Sequence, residues 1–422
     1  MFCKSINGKC QVKTLTIIVL LMAGANSFAG EVLCNGIQLP DVWPPNQQTI
    51  VFNLHPGLIN KSAFEHMQQL KKSSTSERYD IGLAAIFSYL NMPREQCKAK
   101  IETFLSLSEQ YDIPIVVQLD GEQWWQGRPD LWNWWNPAGA GYNPENRKNV
   151  EWTGWGPEHA IKIAWRNWGR QIRVLPPPNF MSPDYRKACH DEMRIMVPLV
   201  MDWYKKLPPE KKHLFIGIKL GWESAIGVNS FYYPNGNDLK DKPASNDPKT
   251  GLKANEVPGR GVKAIGYASV KTADIAHSGE LLESDLAEVV ARHLNDLCYL
   301  ASRMKVPRDK LFTHVAGWKK EELLYDAALN KYSCPGFSFY SYAKDPADDK
   351  GAGRVIKKSD APHWAAVEWL LSGGDKQAWK NAIDRTLADP KCRYMCIYNY
   401  RPVKDNKAAM EAIQEKIGVK KR

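Results

Sequence analysis

The sequence predicts an α/β fold, a (β/α)8 TIM barrel with long βα-loop insertions. Three observations predict it. Short apolar runs alternate with longer helical patterns through the C-terminal two-thirds of the chain. Several of those runs end in polar and aromatic clusters, as barrel strands do at the face that carries a site. No run is followed by a glycine-rich phosphate loop, which weighs against an open doubly wound sheet.

Taken in chain order, the first segment stands apart from the fold. Lys4, Lys9 and Lys13 precede an apolar stretch from Leu15 to Ala25, and Ser27-Phe28-Ala29 offers small residues at the two positions a signal peptidase reads. The apolar stretch is about a dozen residues, short of the roughly 20 that span a bilayer. Residues 1–29 are therefore expected to be a signal peptide, giving a secreted or periplasmic protein with no stable membrane insertion, and 30–422 a single domain. The leader carries three lysines and no acid, so the formal charge falls from +11 to +8 on its removal. The basic residues are scattered or gathered between Lys404 and Arg422, without the concentrated stripe that nucleic-acid binding requires. Seven cysteines lie beyond the leader, and Cys392 and Cys396 have poor spacing for a compact metal site.

The strand candidates are Ile50–Leu54, Ile113–Leu119, Gln171–Leu175, Leu214–Leu220, Leu311–Ala316, Phe337–Tyr340 and Tyr394–Tyr398. Helical patterns fill Arg94–Gln110, Asp184–Lys206, Glu280–Lys305 and Lys376–Ala388; in the third, Leu282, Leu286, Val289, Val290, Leu294 and Leu297 recur at helical spacing. An eighth strand is either Ile81–Phe87 or His363–Val367, although the second lies in HWAAVEWLL, which reads more easily as an amphipathic helix. Two long segments, about 121–170 and 226–279, are expected to be insertions over the active face.

The first insertion is rich in tryptophan. Of the chain's 16 tryptophans, nine lie between residues 124 and 168, alternating with Asn, Gln, Arg, Asp, Gly and Pro. A sugar ring presents a flat array of C–H bonds ringed by hydroxyls, so it asks for aromatic faces with polar groups at the rim. Trp124, Trp125, Trp132, Trp134, Trp135 and Trp155 are therefore expected to contact a poly- or oligosaccharide; a packed structural cluster is the competing reading.

Glycosidic hydrolysis requires two carboxyl groups across the bond. Glu223 follows the run IGIKL, beside Trp222, which supplies an apolar wall able to raise a carboxyl pKa. Asp120 and Glu122 follow IPIVVQL at a comparable strand end, and Asp345 and Glu368 come next, Glu368 only if its segment is a strand. Further rim candidates are Asn53, His55, Arg173, His314, Trp318, Tyr340, Tyr342, Tyr398, Asn399 and Tyr400.

On these residues the chain resembles the superfamily of glycoside hydrolases built on (β/α)8 barrels, in particular the retaining group with its acid/base after the fourth strand and its nucleophile after the seventh. The resemblance is one of architecture and site placement, over roughly Ile50 to Tyr400. It implies Glu223 as acid/base, with the runs at Ile50, Ile113, Gln171 and Leu214 as strands one to four. Two features depart from that group: Trp222 stands where Asn usually precedes the glutamate, and the last strand, CRYMCIYNYRP, ends without a glutamate. The nucleophile is left among Glu368, Asp120 and Glu122. The expected activity is hydrolysis of O-glycosidic bonds with no cofactor and no metal. The alternatives are a non-catalytic carbohydrate-binding protein and a metal-dependent hydrolase or lyase using Asp120, Glu122 and His314.

Overall fold

The computed structural model describes residues 47–167, 171–227, 230–231, 264–316 and 322–419. The expected signal peptide and Trp318 lie outside these residues. Asp41–Arg422 forms one compact unit.

Eight parallel strands build the centre: β1 (Gln48–Leu54), β2 (Tyr79–Ser88), β3 (Ile115–Asp120), β4 (Phe215–Leu220), β5 (Leu311–Thr313), β6 (Gly336–Phe339), β7 (Trp364–Trp369) and β8 (Cys392–Ile397). Each pairs with its sequence neighbours except β5 and β6, which are the ends of the sheet, and β8 pairs with β1. Isolated parallel bridges Phe312↔Cys334 and Val315↔Phe337 join β5 to β6, so the sheet closes nearly into a ring. This is the expected (β/α)8 barrel.

Seven helices surround it: α1 (Lys61–Lys72), α2 (Arg94–Tyr111), α3 (Pro183–Lys206), α4 (Glu283–Arg303), α5 (Lys350–Lys358), α6 (Lys376–Thr386) and α7 (Lys407–Lys416). Their starts are chemically marked. Asn60, Ser182, Asp349, Asp375 and Asn406 each accept a hydrogen bond from a backbone N–H of the first turn. Between β5 and β6 the crossover is a short 3-10 segment, Leu323–Ala328, in place of an α-helix.

Two strand assignments differ from expectation. Gln171–Val174 is not a barrel strand; it pairs antiparallel with Ala164–Asn167, which also pairs with Ser230–Phe231, in a small sheet formed by the insertions. Both candidates for the eighth strand, Ile81–Phe87 and His363–Val367, fall on barrel strands, as β2 and β7. The HWAAVEWLL segment misleads because all six residues of β7 are buried. A parallel strand covered on both faces shows no polar alternation, and its apolar residues fall at helical spacing by chance. Because one false strand left the count and Ile81–Phe87 entered before it, Phe215–Leu220 is still the fourth strand.

Alternation places Val51, Ala84, Val116 and Phe312 inside the barrel, where they meet Ile216, Cys334, Ala365, Val367, Tyr394 and Cys396 in an apolar plug. Alternation breaks at two points. In β4 the register against β3 slips between Ile115↔Phe215 and Val116↔Gly217. Ile216 and Lys219 consequently both turn inward, while Phe215, Ile218 and Leu220 pack outward. Gly217 is required there, since a Cβ would stand 2.5 Å from the Lys310 carbonyl oxygen. In β7 the register against β6 slips between Ala365↔Gly336 and Glu368↔Ser338. Trp364, Ala366 and Trp369 belong to the outer core, so the extra residue leaves Val367 and Glu368 facing inward together.

Candidate functional site

The polar end of the barrel begins directly above this plug. After β4 the chain turns through Gly221 at φ 78° to Glu223 at φ 49°. Only glycine suits position 221, because a Cβ would lie 2.4 Å from Ser224 Oγ and 2.9 Å from Glu122 Oε1. Glu122 braces this turn from the end of β3. It accepts from Ser224 Oγ (2.8 Å) and the Trp222 backbone N–H (3.4 Å), and its Oε1 lies 3.1 Å from His293 Nε2 of α4. His293 itself stacks on Phe180 at 4.2 Å. Asp120 is likewise enclosed, accepting from Ser88 Oγ (3.0 Å) and from the backbone N–H groups of Glu122 (2.8 Å) and Gln123 (3.2 Å). Burial, and then Glu122, push its carboxyl up to about 6.

Glu223 and Glu368 meet across the mouth. One ligating atom from each of Glu223, His314 and Glu368 lies within 4.8 Å of the other two. Both oxygens of Glu368 are held: Trp222 Nε1–H donates to Oε2 at 3.0 Å, and the Tyr340 hydroxyl donates to Oε1. Burial raises the Glu368 carboxyl, opposed by Lys219 and by the Tyr340 and Trp222 hydrogen bonds. Ser338 Oγ donates to Glu223 Oε1 at 3.1 Å. His314 is buried just past β5, with Ser338 Oγ 2.7 Å from Nε2 and Lys219 Nζ 2.8 Å from Nδ1.

The donor set is wrong for a metal ion. With Lys219 charged, its ammonium has hydrogens and no lone pair, so His314 Nδ1 accepts and Nε2 carries the ring hydrogen. A protonated Nε2 cannot ligate, and a buried ammonium beside it repels a cation. The trio considered from sequence, Asp120, Glu122 and His314, does not form a cluster of ligating atoms among the described residues.

A groove of about 550 Å³, joined to the pair through Trp222 and not lined by either carboxylate, is bordered among others by Asn53, His55, Ser88, Trp124, Trp222, Tyr398 and Asn399. Two of the tryptophan candidates, Trp124 and Trp222, thus face the groove. Trp125, Trp132, Trp134, Trp135 and Trp155 pack within the insertions. Trp125 is buried at 1% exposure, packs edge-on against Tyr185 and donates to the Pro176 carbonyl, so its place is in the core and not on a substrate. Trp132 donates to the Trp125 carbonyl, Trp134 to Ile161 and Trp155 to Gly279. Trp135 leans on Trp132 at 5.4 Å, and Arg147 and Lys162 lie over the Trp134 ring at 5.5 and 5.6 Å.

The remaining candidates divide in the same way. Tyr340 and Asn399 stand at the mouth. Arg173 lies in the insertion sheet opposite Trp165 and is not at a barrel strand end. Tyr342 packs on the outer core, Asp345 caps the turn at Pro346–Asp348, and Tyr400 packs edge-on against Phe52 at 6.0 Å. Three side chains at the site are not among the candidates the sequence offers: Lys219, Ser338 and Arg166. The first had a signal, a lone charge inside the apolar run FIGIKL; Ser338 between Phe337 and Phe339 had a weaker one. Arg166, from the strand Ala164–Asn167, is buried. Burial pulls its guanidinium down to about 10, against Glu223, Glu122 and Asp120. The six described cysteines are buried free thiols.

No protein-family model matches the sequence, and a comparison with curated protein sequences finds no match. Similar solved structures include the catalytic domain of a beta-amylase from Paenibacillus polymyxa (8% identity, 87% of this chain and 97% of that one, TM-score 0.47). They also include a beta-galactosidase from the psychrophilic Marinomonas ef1 (9%, 88% and 59%, TM-score 0.48). A third is the 3-keto-D-glucoside 4-epimerase YcjR from E. coli (9%, 87% and 98%, TM-score 0.39). Likeness at this level carries no chemistry to this chain, and the barrel rests on its own strand order.

Proposed function

We propose that the chain is an exported retaining glycoside hydrolase acting on a poly- or oligosaccharide, with Glu368 as nucleophile and Glu223 as general acid/base. The observation that carries this reading is that one oxygen of Glu368, at the end of β7, lies within 4.8 Å of one oxygen of Glu223, in the turn after β4. Retaining hydrolysis uses a separation of about 5–5.5 Å, whereas inversion leaves about 6.5–9.5 Å for a water molecule. The roles follow from the hydrogen bonds. Both oxygens of Glu368 accept from fixed donors, which with Lys219 nearby favour the ionised form against the cost of burial. Glu368 attacks the anomeric carbon while Glu223 protonates the departing glycosidic oxygen. Glu223 then takes a proton from the water that releases the sugar from Glu368.

The groove joined to the pair through Trp222 supplies amide and hydroxyl groups with two indoles, the chemistry that sugar rings ask for. Export rests on residues 1–29 as a cleaved leader. Hydrolysis of a polysaccharide panel by the wild type, Glu368→Gln and Glu223→Gln tests the assignment. Each variant is expected to lose at least about 10³-fold in kcat, since nucleophile and proton donor each supply contributions of this order. Full activity in either variant sinks the pairing, and chelator sensitivity of the wild type returns the metal reading.

A further inference from the structure

Beneath the carboxylate pair, three consecutive strands each bring one polar side chain to the same place: Lys219 from β4, His314 just past β5 and Ser338 from β6. Lys219 and His314 are fully buried. The bulge at Gly217 is what turns Lys219 inward, so a buried lysine here follows from the backbone.

With Lys219 charged, the hydrogen bonds run one way. Lys219 Nζ donates to His314 Nδ1 at 2.8 Å. Burial, and then the Lys219 charge, hold His314 well below its ordinary range, so the ring is neutral and its single hydrogen sits on Nε2. Nε2–H donates to Ser338 Oγ at 2.7 Å, and the serine hydrogen goes to Glu223 Oε1 at 3.1 Å. An isolated buried ammonium is costly and persists where surrounding groups offset it. Burial lowers the Lys219 ammonium from its ordinary range, opposed by Glu368, Asp120, Cys396 and Glu122. Trp222 adds an aromatic face at 5.9 Å.

We propose that Lys219, His314 and Ser338 form a one-way buried relay that positions the Glu223 carboxylate and stabilises its ionised form. The inference rests on Glu223 being the acid/base of the proposed reaction. In that reaction Glu223 must become a carboxylate once it has given up its proton, and must hold its direction on a turn with left-handed backbone. The relay serves both needs without touching the sugar, so its members are positioning residues. The titratable and charged groups that face Glu223 include Glu368 from β7, Arg166 from the insertion sheet, Tyr340 after β6 and Tyr398 after β8.

Titration of the full chain labelled with carbon-13 at the glutamate carboxyls tests the relay directly, the Glu223 signal being identified by its loss in Glu223→Gln. Removing a donor to a carboxylate raises its midpoint, so Ser338→Ala is expected to move Glu223 upward by about 0.5–1 unit. Ser338→Thr, which keeps a hydroxyl, is expected to restore it, and Lys219→Met to raise it at least as far as Ser338→Ala. The alkaline limb of kcat/KM should move in the same direction. An unchanged Glu223 midpoint in folded Ser338→Ala overturns the relay, whether or not Lys219→Met folds. Full hydrolysis by Glu223→Gln would instead sink the acid/base assignment of Glu223 while leaving a shifted midpoint in Ser338→Ala intact, so the two failures are distinguishable.

Discussion

Trp125 and Trp222 stand near the same mouth and do opposite work. The Trp125 indole N–H points into the first insertion and satisfies a backbone carbonyl, and its ring is sealed against Tyr185. The Trp222 indole N–H points across the barrel and meets the Glu368 carboxylate, while its ring borders the groove. The same contrast separates Trp132, Trp134 and Trp155, each bonded to a carbonyl of the insertions, from Trp124, which lines the groove. A tryptophan-rich stretch therefore has two uses, and the partner of the indole N–H tells them apart. A loop of this length must satisfy many carbonyls without a regular ladder, and an indole offers one donor with a large apolar body.

Substitutions that exchange the two roles would break this comparison. The largest expected effect is Trp125→Ala: removing a fully buried indole costs about 3–5 kcal/mol of stability, read from denaturant unfolding, with kcat per folded molecule unchanged. A loss of turnover without a loss of stability would place Trp125 in the site after all.

The next effect concerns the seam between the two insertions, where the Ser269 hydroxyl donates to Glu151. Burial pushes the Glu151 carboxyl up to about 7 from an ordinary 4.5. A folded-state value above the unfolded one means that the stability contribution is fully present below about pH 4.5 and lost as pH rises through about 7. Glu151→Gln should flatten the stability curve across that window and gain about 1–3 kcal/mol over the wild type at pH 8. An identical pH slope in the two proteins contradicts the buried-acid description.

The smallest effect sharpens the mouth side. Trp222→Phe keeps the ring and deletes the donor to Glu368, so it should lower kcat about tenfold, corresponding to a lost charge-assisted hydrogen bond of about 1.4 kcal/mol. Stability should change by under about 1 kcal/mol, opposite in pattern to Trp125→Ala.

The barrel was largely legible because parallel strands are continuous apolar runs, and six of the eight were marked as strands outright. Gln171–Val174 shared that look for another reason, since it pairs within a small insertion sheet. Glu223 was legible as a carboxylate at a strand end. Glu368 was named but tied to a segment that looked helical, because its neighbours are buried on both faces. The tryptophans were legible as a cluster and illegible as individuals, since composition carries no information about where an indole N–H points.

By itself the sequence determined six of the eight buried strands, the long segments that interrupt them, and Glu223 as a carboxylate at a strand end. Those properties are local, set by runs of apolar side chains and the polar residues that end them. Only the tertiary structure decided that Lys219 and Glu368 face inward. Each depends on a register slip against a neighbouring strand, at Gly217 in β4 and between Ala365 and Glu368 in β7. Such a slip reverses side-chain parity for the rest of the strand. Pairing between distant segments created it, and no single strand records it.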